Sequence, residues 1–115
     1  MTDLIACLGT GKGTWAELSS LIKAEEWDNI YLVTNEFGTK FQAKAEFIII
    51  NENMSYVQMR DIIQSQLQPK IRSTQVALNL TSGTGKEHMA ILAAVLKLGV
   101  GIRLVALAGS KLIEV

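Results

Sequence analysis

Val76-Ala77-Leu78-Asn79-Leu80-Thr81-Ser82-Gly83-Thr84-Gly85-Lys86-Glu87-His88-Met89 decides how this chain is read. It begins in an apolar run with the character of a buried strand. It crosses a loop of two glycines, three hydroxyls and one lysine, then enters helix-period sequence from Glu87 to Leu98. A strand–loop–helix turn of this kind presents free backbone N–H groups and the positive end of a helix dipole. Those features suit an anion, most naturally a phosphate or sugar–phosphate. A second loop of the same character, Gly9-Thr10-Gly11-Lys12-Gly13-Thr14, follows the first apolar run.

Outward from these loops, strands and helices alternate. Leu4 to Leu8 reads as a strand covered on both faces. Thr14 and Glu17 have capping-box spacing, and Trp15, Leu18, Leu21 and Ile22 fall on one side of the helix they open. Strands are expected at residues 30–33 and 47–50, with only a short helix or loop at 36–45 between them. Ser55 and Gln58 make a second capping pair, Tyr56, Met59, Ile63 and Leu67 stripe one helix face, and Pro69 ends that helix. The fourth strand is residues 75–80 and the fifth 102–107. Gly109-Ser110 turns the chain into an antiparallel sixth strand, 111–115. The pattern predicts one α/β domain over residues 1–115, a Rossmann-like three-layer sandwich. Its six-stranded sheet is mostly parallel and closes with a C-terminal antiparallel hairpin strand. In the commonest winding the strand order reverses between the first and fourth strands, and ligands bind above their carboxyl ends. Both glycine loops follow those two strands.

The totals agree with a compact, core-rich domain. With 115 residues the chain can remove roughly two-thirds of its unfolded surface from water. No apolar run is long enough to span a bilayer, and the N-terminus lacks the basic and apolar regions of a signal peptide. One cysteine, Cys7, excludes an internal disulfide and fits a reducing cytoplasm. A formal net charge of zero argues against broad contact with duplex nucleic acid, but leaves room for a small anion held by a few lysines.

The loops fail the familiar phosphate motifs. A P-loop needs a glycine five positions before its Gly-Lys pair. Ala6 and Leu80 occupy those positions, and Glu87 stands where a magnesium-binding hydroxyl belongs. The dinucleotide fingerprint would need its third glycine one residue later than Gly13, although Glu36 lies at a plausible distance for a ribose. Tight turns alone also favour such glycines. His88 has no second imidazole with which to share a metal, and Cys7 is buried, so no metal site and no cofactor are expected. His88 reads as a first-turn residue facing solvent or an interface, Met89 as a packing residue, and Trp15 and Trp27 as core or helix-end packing. Lys12 and Lys86 sit at helix starts, where the dipole disfavours a cation unless an anion accompanies it; the bland alternative is a solvated lysine.

The last helix, rich in Met, Ala, Ile, Leu and Val from Met89 to Leu98, has almost no polar face. Such a helix is covered on both sides. The sheet covers one, and a two-fold partner is the economical cover for the other, giving a homodimer that brings two copies of the loop together.

The chain resembles the CRISPR-associated Rossmann-fold (CARF) family in its order of elements over essentially all 115 residues. Two motifs carry the resemblance: the Gly/Thr loop after the first strand, and Asn79-Leu80-Thr81-Ser82-Gly83-Thr84 followed by Lys86 and Met89. The second is similar to the family's Asn-x-Thr-Gly-Gly-Thr-Lys-x-Met signature. Ser82 stands in place of a glycine, and Gly85 places Lys86 and Met89 later than usual.

What the resemblance implies is a homodimer whose paired loops bind a cyclic oligoadenylate, the second messenger of type III CRISPR systems. A small stand-alone member resembles a ring nuclease, which degrades the messenger and ends the antiviral response. The alternative is a sponge or sensor that only binds it, and a third reading is a nucleotide-binding Rossmann subunit unrelated to CRISPR. Ring cleavage needs neither a metal nor a strong base, because the ribose 2′-hydroxyl is the nucleophile. Lys86 is expected to stabilise phosphorane charge, with Thr10 and Lys12 as catalytic partners and Thr14 positioning the ring. Thr81, Ser82 and Thr84 are expected to bind phosphate or ribose. Gly9, Gly11 and Gly13 of the first loop, Gly83 and Gly85 of the second, and Asn35 and His88 complete the ligand-binding set.

Overall fold

The computed structural model describes residues 2–115, with Lys12 described through its backbone alone. Six strands, Asp3–Cys7 (β1), Ile30–Thr34 (β2), Glu46–Ile49 (β3), Gln75–Asn79 (β4), Gly101–Ala108 (β5) and Lys111–Glu114 (β6), form one sheet in the order β3-β2-β1-β4-β5-β6. β1 to β5 are parallel, and β6 returns antiparallel to β5 through Gly109-Ser110. The expected α/β sandwich is therefore observed, with element boundaries within two residues of those read from sequence except at the start of α1. Residues 37–40 form the short 3-10 turn allowed for there.

Alternation along β1 divides the core into two layers. Ile5 and Cys7 face one side with Val33, Val76 and Leu78, beneath the helices Tyr56–Leu67 (α2) and Gly85–Leu98 (α3). Leu4, Ala6 and Leu8 face the other with Leu32 and Ala77, beneath the helix Lys12–Lys23 (α1), through Leu18 and Leu21. A central strand covered on both faces is apolar through its middle, which is why Leu4–Cys7 and Val76–Leu78 read as continuous apolar runs. The polar Asp3 and Asn79 stand at strand ends and are hydrogen-bonded.

Four expectations need correction. The Thr14–Glu17 capping box does not form: α1 starts three residues earlier, at Lys12, with Gly11 rather than Thr14 as its cap and no capping side chain. Thr14 is instead drawn to a partner on the other loop. α3 starts at Gly85 rather than Glu87, because Thr84 and Glu87 form a reciprocal capping box. On α2, Met59, Ile63 and Leu67 are buried as expected, whereas Tyr56 is 51% exposed. On α3, Ala90, Ile91, Ala94 and Val95 face the core, but Met89, Leu92 and Leu96 are 63%, 37% and 61% exposed. Met89 thus has no packing role within one chain. Among the described residues no helix is long and apolar enough to cross a membrane.

Candidate functional site

β1 and β4 lie side by side, Asp3 opposite Val76 and Ala6 opposite Asn79, with β2 and β5 on their outer flanks. The loops leaving their carboxyl ends therefore emerge together at the reversal of strand order. They touch through backbone. A Cβ on Gly9 would lie 2.9 Å from both Cα and N of Gly83, so only glycine permits this approach. Gly83 has φ of 101°, a left-handed conformation that side chains resist.

A chain of hydrogen bonds locks the two loops. Gly9 N–H donates to Ser82 Oγ at 2.8 Å, Ser82 Oγ and Thr14 Oγ1 are 2.7 Å apart, and Thr14 Oγ1 donates to Gly11 O at 2.8 Å. A hydroxyl has one proton to give. Thr14 gives its proton to Gly11, so Ser82 donates to Thr14, and both protons are committed. Ser82, at 2% exposure, is thus a structural link beneath the site. Asn79 braces the same loop: its Nδ2 donates to Thr81 Oγ1 and Val105 O at 2.9 Å, and its Oδ1 accepts from Thr81 N at 3.3 Å.

Above this base opens a cleft of about 340 Å³, spanning the carboxyl ends of β4, β1, β2 and β3. Gly9, Thr10, Gly11 and Thr14 line it from the first loop, and Thr81, Ser82, Gly83, Thr84 and Lys86 from the second. Asn35 lines it from the end of β2, its Oδ1 accepting Gly38 N–H at 3.0 Å and its amide left to donate. Thr81 Oγ1 and Thr84 Oγ1 each accept a bond from their own loop or helix, which leaves their protons to donate. Lys86 Nζ donates to Glu52 O at 3.1 Å and sits 5.6 Å from the Tyr56 ring centroid.

Three predicted residues do not line the cleft. Gly13 and Gly85 lie in the first turns of α1 and α3. His88 turns inward, its Nε2 2.7 Å from Ser82 O. A carbonyl only accepts, so Nε2 carries the proton, and the ring buttresses the loop instead of facing solvent or an interface. The Lys12 side chain lies outside the described residues. Glu36, weighed for a ribose, is exposed and does not line the cleft.

Sequence reasoning missed Glu52, Met59 and Glu87, all on the cleft wall. The Thr84-x-x-Glu87 spacing was the available signal for Glu87, whose Oε1 accepts Thr84 N–H at 2.8 Å. Glu52 follows β3 and so reaches the same rim. Met59 reads as core from its spacing, and it is also nearly buried. Beneath Gly83 lies Cys7; burial first, and the Glu87 carboxylate second, push its thiol well above the ordinary range, so it stays protonated. Trp15, as expected, packs at its helix end, against Phe37 and Phe41, and its Nε1 donates to Gly9 O at 2.7 Å. Among the described residues no group of three His, Cys, Asp or Glu side chains is placed to hold a metal ion.

No protein-family model matches this chain, and no curated protein matches it in sequence.

Proposed function

We propose that this chain binds a cyclic oligoadenylate as a cytoplasmic homodimer and cleaves it as a ring nuclease, switching off a type III CRISPR response. The observation that carries this reading is the contact of the two glycine loops at the β1–β4 reversal. There the Thr10, Thr81 and Thr84 hydroxyls, loop N–H groups and Lys86 share one cleft. A phosphate ring needs many modest donors spread over a broad rim, and a cap-bearing helix start supplies them without net charge.

In the reaction a ribose 2′-oxygen attacks the adjacent phosphorus and the bond to the 5′-oxygen breaks. A 2′,3′-cyclic phosphate forms, and the 2′-hydroxyl proton passes through solvent to the leaving 5′-oxygen. The protein's part is to align these atoms and to stabilise charge on the phosphorane. Lys86 is the cation for that charge, its long stem letting it swing from Glu52 O to the ring.

The dimer surface in this proposal is the stripe Met89, Leu92 and Leu96 on α3. Ile102 packs on the α2–α3 side of the sheet, so alternation puts Leu104 on that side too, and the Ala106–Ile113 pair adds Ile113. Leu104 and Ile113 are exposed on that face of the sheet. Exposed apolar side chains on one face of a helix and of the sheet it covers call for a partner. The two-fold axis matches a ring of even symmetry.

A second reading, a sponge or sensor that binds without cleaving, is favoured by Lys86 being held on Glu52 O and the Tyr56 ring. Incubating labelled cyclic tetra- and hexa-adenylate with the protein in excess chelator separates the two. The nuclease reading expects shortened products ending in a cyclic phosphate, with Lys86→Ala slowing cleavage far more than it weakens binding. Tight binding with an intact ring selects the sponge, and no binding refutes both.

A further inference from the structure

The two ends of the cleft differ in chemistry. The inner end, made by the glycine loops, offers mostly donors, and the Glu87 carboxylate beside them already accepts Thr84 N–H. The outer end offers an acceptor, a thioether and, just beyond, an aromatic ring. Glu52 lines that end, and its exposed carboxylate has no hydrogen-bond or ion-pair partner among the described residues; its backbone carbonyl already holds Lys86. A carboxylate repels phosphate, so what it takes from a ligand is an N–H or O–H donor. Met59 also lines the cleft, and Tyr56 precedes it by three residues, on the same face of α2. The Tyr56 ring is half exposed, with the Lys86 ammonium over it.

We infer that this outer end is a nucleobase subsite: Tyr56 stacks a base of the ligand, and Glu52 accepts a hydrogen bond from its exocyclic amino group. Phosphate and base sites are coupled through Lys86. A phosphate on the inner loops draws the ammonium from Tyr56, and the ring face it leaves is a surface on which any base stacks. Glu52 then adds discrimination that stacking lacks, because a base with a carbonyl in place of the amine sets two acceptors against each other. The inference rests on the cyclic oligoadenylate reading and names the residues that read the adenine.

The test compares cyclic tetra-adenylate with cyclic tetra-inosinate, in which each adenine amine is replaced by a carbonyl oxygen. Calorimetric titrations are run on the full chain and on Glu52→Gln, Tyr56→Ala and Tyr56→Phe. The wild-type protein is expected to prefer the adenine ring by about 10-fold. Glu52→Gln, whose amide both donates and accepts, should bring the two rings within about two-fold. Tyr56→Ala should weaken both rings by about 10-fold, and Tyr56→Phe should not. Equal wild-type affinities, a preference that survives Glu52→Gln, or full affinity in Tyr56→Ala overturns the subsite while leaving the ring-binding function standing. A wild-type protein that binds neither ring overturns both.

Discussion

Replacing Gly9 with alanine tests the loop contact on which the site depends. Gly9 is not among the positive-φ glycines, so its backbone accepts alanine and the whole effect comes from contact. The added Cβ would stand 2.9 Å from Gly83 Cα and N and 3.2 Å from Ser82 Oγ. Carbon atoms rest about 3.5–4.0 Å apart, so the loops must separate by about 0.6–1.1 Å. The obstructing atoms are backbone and cannot rotate away. Overpacking of this kind costs about 1–3 kcal/mol, and the Gly9 N–H to Ser82 bond stretches with it. With a urea slope of about 1–3 kcal/mol per molar, the unfolding midpoint should fall by about 1 M. In the proposed ring cleavage, a displacement near 1 Å at the reacting groups should also cost about 100-fold in turnover. Gly13→Ala is the control. Nothing lies within 4 Å of its added Cβ, and it sits within α1, so alanine should stabilise by about 0.5–1 kcal/mol. Urea melts followed by circular dichroism measure both. If Gly9→Ala melts with the wild-type protein, the two loops do not meet as described.

Thr84→Ala removes the N-cap of α3 and should cost about 1 kcal/mol, read as a lower urea midpoint at unchanged slope. The raised pKa of Cys7 predicts a pH effect of definite sign. Its ordinary value is 9.0, so in the unfolded chain the thiolate forms above about pH 9, while burial keeps the folded thiol protonated. The unfolded state then binds fewer protons than the folded state, and stability falls as pH rises past 9. Cys7→Ala should flatten that part of the profile, and an unchanged slope from pH 8 to 10.5 would contradict it. Charging the α3 stripe with Met89→Glu and Leu96→Lys should yield a 12.6 kDa monomer in sedimentation, against twice that mass for the wild type. A wild-type monomer removes the dimer from the account.

Much of this architecture was legible because it is written in local patterns. Apolar runs marked the strands, and the alternation with helices fixed the parallel winding and the place where the two loops meet. What escaped notice was set by contacts distant in sequence. Thr14 has the spacing of a capping residue, but its hydroxyl is claimed by Ser82, 68 residues away, and α1 starts earlier to suit. His88 reads as a surface residue, yet the turn of α3 swings it onto the Ser82 carbonyl. Ser82 looked like a ligand group and is the link between loops, because its neighbours consume its hydroxyl. Glu52 lies far from either glycine loop in sequence, and only the sheet order brings it to their rim. Tyr56 continues an apolar stripe on paper but stands exposed beside Lys86.

Calorimetric titration of the full chain with cyclic tetra-adenylate puts the paired-loop cradle to its most direct trial, since stoichiometry reports both the ligand and the two-fold assembly. The account predicts saturation at one ring for every two chains. Saturation at one ring per chain, or no binding heat at any ring size, contradicts it.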